Sequence, residues 1–80
     1  MLDAQLVEAI ARNFGLEPEE VSSETGPETI PEWDSVGHLK LILDVEEEYG
    51  VRFPAREIPS LTSAGRIQSA LDRLGPGDRT

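Results

Sequence analysis

Eighty residues with no cysteine carry seven lysines and arginines against sixteen aspartates and glutamates, a net charge of -9. A chain this short buries only about 60% of its unfolded surface around one core, which argues against a deep catalytic cleft, and without cysteine it can build neither a disulfide framework nor a thiolate metal site. The acidic balance argues against nucleic acid, no apolar run approaches the roughly 20 residues of a membrane span, and the start Met1 to Gln5 lacks the basic residues of a signal peptide, so the expectation is one cytoplasmic domain.

Leu2, Leu6, Ile10 and Phe14 recur every fourth position with Val7 beside them, one stripe of a helix that Asp3 opens and Gly15 stops. Leu16 to Glu32 then loses periodicity and collects Pro18, Gly26, Pro27 and Pro31 with six glutamates and no base. A loop of that length is uncommon in a compact domain and is usually functional or mobile. Val21 and Ile30 can pin it to the core, and Pro18, Glu19 and Glu20 can form one helical turn.

A long amphipathic helix is predicted from Trp33 to Tyr49, ended by Gly50. At about 100° per residue His38, Leu41, Ile42, Val45 and Tyr49 share one face, the expected core side. Val36, Leu39 and Leu43 form a second apolar strip, bordered by Lys40 and Glu47, and this strip is a candidate partner surface beside Ser35. Val51 and Phe53 are further anchors. A short helical turn is expected from Ala55 to Ile58 between Pro54 and Pro59. Thr62 or Ser63 can cap a last helix whose apolar residues Ala64, Ile67, Ala70, Leu71 and Leu74 keep the three-and-four spacing. Gly75, Pro76 and Gly77 should close it, with residues 76–80 a disordered tail behind a single domain of residues 1–75. The fold class is therefore all-α, three main helices and one short one with a long loop after the first.

Asp34 and Ser35 both suit a helix start, where an oxygen can accept from amides that lack an intrahelical partner. If Asp34 caps, the Ser35 hydroxyl is free at the positive end of the helix, where an attached phosphate would be favoured. From the residues alone Ser35 has two readings, a plain cap or an attachment point. Gly37 costs helix propensity of about 1 kcal/mol relative to alanine, and its missing side chain would let something lie close to the helix start. Asp34, Ser35 and His38 do not make a triad, because His38 points to the core face rather than to the serine; no catalytic residue is expected. Asp44, Glu47 and Glu48 read as a solvated acidic face rather than a metal site. The charge is uneven: residues 1–50 carry -11 and residues 51–80 carry +2. A basic partner should approach the first part.

Asp34-Ser35-Val36, Leu39, Leu41 to Leu43, Val45 to Tyr49, the Val51 and Phe53 pair and Leu61-Thr62-Ser63 together resemble an acyl carrier protein. The likeness runs from about Leu6 to Leu74. The family motif is Asp-Ser-Leu, with Val36 here in the place of the leucine. The resemblance implies a four-helix bundle, no activity of its own, and 4'-phosphopantetheine attached to Ser35 by a phosphodiester, with Asp34 presented to the phosphopantetheinyl transferase. It implies a monomer whose Val36, Leu39, Lys40, Leu43, Asp44, Glu47 and Glu48 meet basic docking patches on acyl-loading and acyl-processing enzymes. The chain departs from the family at Trp33, where a glycine is common, and at Lys40, where many members have an acid. Ile30 to Ser35 with Gly37, His38 and Leu39 is similar to freestanding carriers of polyketide or other specialised-metabolite pathways that load short acyl units. A peptidyl carrier, usually Gly-Gly-His-Ser or Gly-Gly-Asp-Ser at this point, and an unmodified acidic helical interaction module are the alternatives.

Overall fold

A computed structural model describes residues 2–74. The element order is α1 (Ala4–Phe14), a 3-10 turn (Pro18–Glu20), α2 (Ser35–Tyr49), a 3-10 segment (Ala55–Ser60) and α3 (Ala64–Leu74). The described residues contain helices and no strand, which is the expected all-α bundle of three main helices and one short one. The expected closure at Gly75 to Gly77 and the tail 76–80 lie outside the described residues.

Each main helix turns its periodic apolar stripe inward, because that is the one arrangement that removes all three stripes from water. Leu6, Ala9, Ile10 and Phe14 of α1 meet Leu41, Ile42, Val45 and Tyr49 of α2 and Ala64, Ile67, Ala70 and Leu71 of α3 in one cluster. Gly15 and Gly50 end α1 and α2 with φ of 68° and 66°, a conformation in which a Cβ would crowd the following carbonyl. Asp3 stands at the start of α1 without capping it by its side chain. Its carboxylate instead accepts from the Tyr49 hydroxyl at 3.1 Å and from Gln68 Nε2 at 3.2 Å, tying all three helices together at that end.

The long loop is fastened rather than free. Ile30 is buried and Val21 packs against the core, as expected. The first amides of α3 donate to it, Ala64 N to the Thr25 carbonyl and Gly65 N to the Ser23 carbonyl, both at 2.9 Å. Ser63 Oγ accepts from Arg66 N at 3.1 Å and completes that cap.

Three boundaries differ from the sequence reading. α1 begins at Ala4 rather than Leu2. α2 begins at Ser35, not Trp33, because Trp33 belongs to the turn before it and goes into the core, 1% exposed and stacked on Phe14 with ring centroids 5.0 Å apart. Burying an indole removes about 200 Å² from water, on the order of 5 kcal/mol, more than one extra turn of helix could return. The short segment runs past Ile58 to Ser60 with Pro59 inside it, since a 3-10 turn at that point needs no amide from Pro59.

Candidate functional site

Ser35 is the first residue of α2 and is exposed. The cap is supplied from the residue before it: Asp34 Oδ1 accepts from the Gly37 amide at 2.8 Å, and its extended backbone turns the chain into the helix. This leaves the Ser35 hydroxyl with no hydrogen-bond partner among the described residues. A primary hydroxyl held on a helix start, free of its neighbours and facing solvent, is placed to be modified.

An open groove of about 570 Å³ lies beside it, lined by Pro27, Trp33, Asp34, Ser35, His38, Leu39, Ile58, Pro59 and Thr62. Most of these are apolar, so the groove can shelter an apolar group that lies beside Ser35. Trp33 and half-buried His38 form its floor. Of the lining residues the sequence pointed to Asp34, Ser35 and Leu39 as site residues. It put His38 on the core face and Trp33 in the helix, and assigned no role at the site to Pro27, Ile58, Pro59 and Thr62, which come from distant segments that no local pattern pairs.

His38 sits on the core side of α2, as its position on the helix implies. Its Nδ1 accepts from the Trp33 indole at 2.9 Å and its Nε2 lies 2.8 Å from the Ile58 carbonyl oxygen. Both ring nitrogens are therefore engaged, and neither meets Ser35. Gly37 has a different cause from the one the sequence suggested. A Cβ there would stand 2.8 Å from the Glu32 carbonyl oxygen and 2.9 Å from Phe14 Cε1. What lies close to the helix start is the chain itself.

The second apolar strip is at the surface: Val36 and Leu43 are each 63% exposed and Leu39 is 54% exposed. They are the large exposed hydrophobic side chains of the described residues, and all three fall on one helix. Lys40, Glu47 and Glu48 are exposed around them. Asp44 is not presented in the same way. Its Oδ2 accepts from Arg12 Nη2 and from Asn13 Nδ2, each at 2.8 Å, so α1 already covers this acid. The hydrogen bond and charge of Asp44, helped by Glu48 and Glu8, push the Arg12 guanidinium pKa up from its ordinary value. Among the described residues no His, Asp and Glu side chains gather into a cluster able to hold a metal ion, and no helix is long and apolar enough to cross a membrane.

No family model matches the chain. It is similar to the meromycolate extension acyl carrier protein of Mycolicibacterium aurum, 28% identical over 71 residues, which cover 89% of this chain and 73% of that protein. It is similar in the same degree to the meromycolate extension acyl carrier protein of Mycolicibacterium smegmatis, 28% identical over 89% of this chain and 72% of that one. These matches agree with the acyl-carrier resemblance, which the sequence already carried from about Leu6 to Leu74.

Proposed function

We propose that this chain is an acyl carrier protein, with 4'-phosphopantetheine attached to Ser35. The observation that carries the proposal is the Ser35 hydroxyl, exposed and unpartnered on the first residue of α2 because Asp34 takes the capping role. The residues present fit such a group. The helix start favours its phosphate, and the groove beside Ser35 offers an apolar wall. When bound, the group supplies the thiol that a cysteine-free chain lacks, on which an acyl unit is held as a thioester. The chain's own part is to hold that arm at a fixed point, to offer Asp34 to the phosphopantetheinyl transferase, and to present Val36, Leu39, Lys40, Leu43, Asp44, Glu47 and Glu48 to acyl-loading and acyl-processing enzymes. Asp44 takes part through its pair with Arg12 rather than as a bare carboxylate. Residues 1–75 form the carrier unit, a monomer acting in the cytoplasm, where coenzyme A supplies the group.

Incubation with coenzyme A, magnesium and a broad-specificity phosphopantetheinyl transferase should add the mass of one phosphopantetheine to the wild type and none to Ser35→Ala. A wild type left unmodified where a control carrier is loaded overturns the assignment and leaves the acidic interaction module. For the cargo we propose the short acyl units of a polyketide-like or other specialised pathway, on the form of Ile30 to Ser35. The relatives' names place them in meromycolate extension, so an acyl group of that kind is the competing outcome, and an aminoacyl group would mark a peptidyl carrier. The mass of the group on protein taken from its native host decides among the three.

A further inference from the structure

Three segments that line the groove beside Ser35 are joined by one chain of hydrogen bonds. Trp33 comes from the turn before α2, His38 from α2 itself and Ile58 from the 3-10 segment Ala55–Ser60. An indole N–H can only donate, so His38 Nδ1 is the acceptor at 2.9 Å, which assigns the ring proton to Nε2. That N–H donates to the Ile58 carbonyl oxygen at 2.8 Å. The imidazole also stacks on the indole at 6.1 Å, and the indole on Phe14, so the floor of the groove is anchored to α1.

The 3-10 segment is pinned at its ends by buried Phe53 and Leu61 and in its middle by partly buried Ile58. Just before it the Phe53 amide donates to Glu46 Oε2 of α2 at 2.7 Å. Within the segment itself little else ties it to α2. None of its residues is fully buried. Its ion pair, Glu57 with Arg73 at 3.1 Å, runs to α3. Among the described residues His38 makes the one side-chain hydrogen bond between this segment and α2. Behind the groove Trp33 is itself part of the core cluster, 1% exposed and stacked on Phe14 at 5.0 Å. An apolar chain too long for the groove could go deeper only by parting the segment from α2.

We propose that His38 is a specificity-determining residue: by joining Trp33 to Ile58 across the floor of the groove, it holds the segment Ala55–Ser60 against α2 and restricts sheltered cargo to short acyl chains. This rests on the acyl-carrier reading. Removing the imidazole leaves the buried indole N–H and the Ile58 carbonyl without their partners and frees the segment to move outward, opening a path for longer chains.

The single tryptophan and single histidine of the chain make the test spectroscopically clean. In the unmodified full-length protein the Trp33 indole N–H should exchange slowly with solvent and His38 should be protonated at Nε2 by nitrogen NMR. His38→Ala should exchange faster, and His38→Gln, whose amide can accept from the indole and donate to Ile58, should restore slow exchange. The same proteins are then loaded from butanoyl-, octanoyl- and dodecanoyl-coenzyme A and the hydrolysis of the thioester is followed. Wild type and His38→Gln should protect the butanoyl thioester best and hydrolyse the octanoyl and dodecanoyl thioesters at rates within about twofold of each other, whereas His38→Ala should protect the dodecanoyl group on the order of tenfold more than the wild type does, as burial of about two further methylenes would. His38→Leu, which refills the floor while deleting both bonds, repeats the comparison should the alanine variant not fold. Equal indole exchange in wild type and His38→Ala overturns the latch. An intact latch with the same length profile in every variant overturns its role in specificity. A wild type that cannot be loaded overturns the carrier reading and this inference with it, and the spectra of the unmodified protein tell that failure from a failed latch.

Discussion

The carboxylate of Asp34 faces two ways: inward to the Gly37 amide at 2.8 Å, and outward to solvent beside Ser35. Two substitutions separate these roles. Asp34→Asn keeps an oxygen for the cap and should change stability by a few tenths of a kcal/mol, while Asp34→Ala should lose about 1 kcal/mol. Both should slow modification of Ser35 by the transferase, since both remove the charge; urea titration and a loading time course read the two effects independently. Gly37 argues the other way from helix propensity. Alanine in a helix is favoured by about 1 kcal/mol over glycine, yet the Glu32 carbonyl and the Phe14 ring stand where its methyl would go. The backbone carbonyl cannot retreat without pulling Trp33 off Phe14, so Gly37→Ala should be destabilising, by about 1 to 3 kcal/mol as an overpacked site. A stabilised Gly37→Ala would show that the turn before α2 yields more easily than its packing implies.

α2 carries two apolar faces of opposite fate. Ile42 is buried and Leu43, the next residue, is 63% exposed. Ile42→Ala should cost about 2 to 5 kcal/mol, as should Leu71→Ala in α3, against a total stability of about 4 to 12 kcal/mol for a chain of this size. Leu43→Ala should shift stability by no more than about 0.5 kcal/mol while weakening acyl transfer to partner enzymes; thermal melts beside transfer assays make the comparison. This division was legible in the sequence because helical periodicity is local and each stripe is written in its own segment. The three main helices and the long loop could be read for the same reason. What could not be read was pairing at a distance. Nothing near Asp44 says that Arg12 and Asn13 will cover it, and nothing near Pro59 says that it will wall a groove beside Ser35. The sequence alone reads Trp33 as the start of the helix, and only its stacking on Phe14 explains why the helix waits until Ser35.

Across the whole molecule the charge is polarised, -11 over residues 1–50 against +2 over the rest, but the exposed face of α2 proposed for docking does not simply share the sign of its half. Arg12 neutralises Asp44, and Glu46 is partly occupied by accepting from the Phe53 amide at 2.7 Å. Lys40 stands exposed with no ion-pair partner among the described residues, on the half of α2 nearer Ser35. Glu47 and Glu48, exposed at the other end, are left to attract a basic partner. Steering by such exposed charges acts on the association rate and is screened once the Debye length falls, from about 10 Å at 0.1 M salt to about 3 Å at 1 M. Loading of Ser35 by a basic transferase should therefore lose kcat/KM as salt rises while kcat stays level. Lys40→Glu removes a local repulsion and should raise kcat/KM at low salt by about two- to threefold, with a steeper salt dependence. Arg12→Ala should act in the same direction by uncovering Asp44, whereas Glu47→Lys should act against both, and all three should converge on the wild type at high salt. Convergence is the deciding observation: a Lys40→Glu effect that persists at high salt would mean that Lys40 makes a close contact with the transferase rather than setting the field through which it approaches.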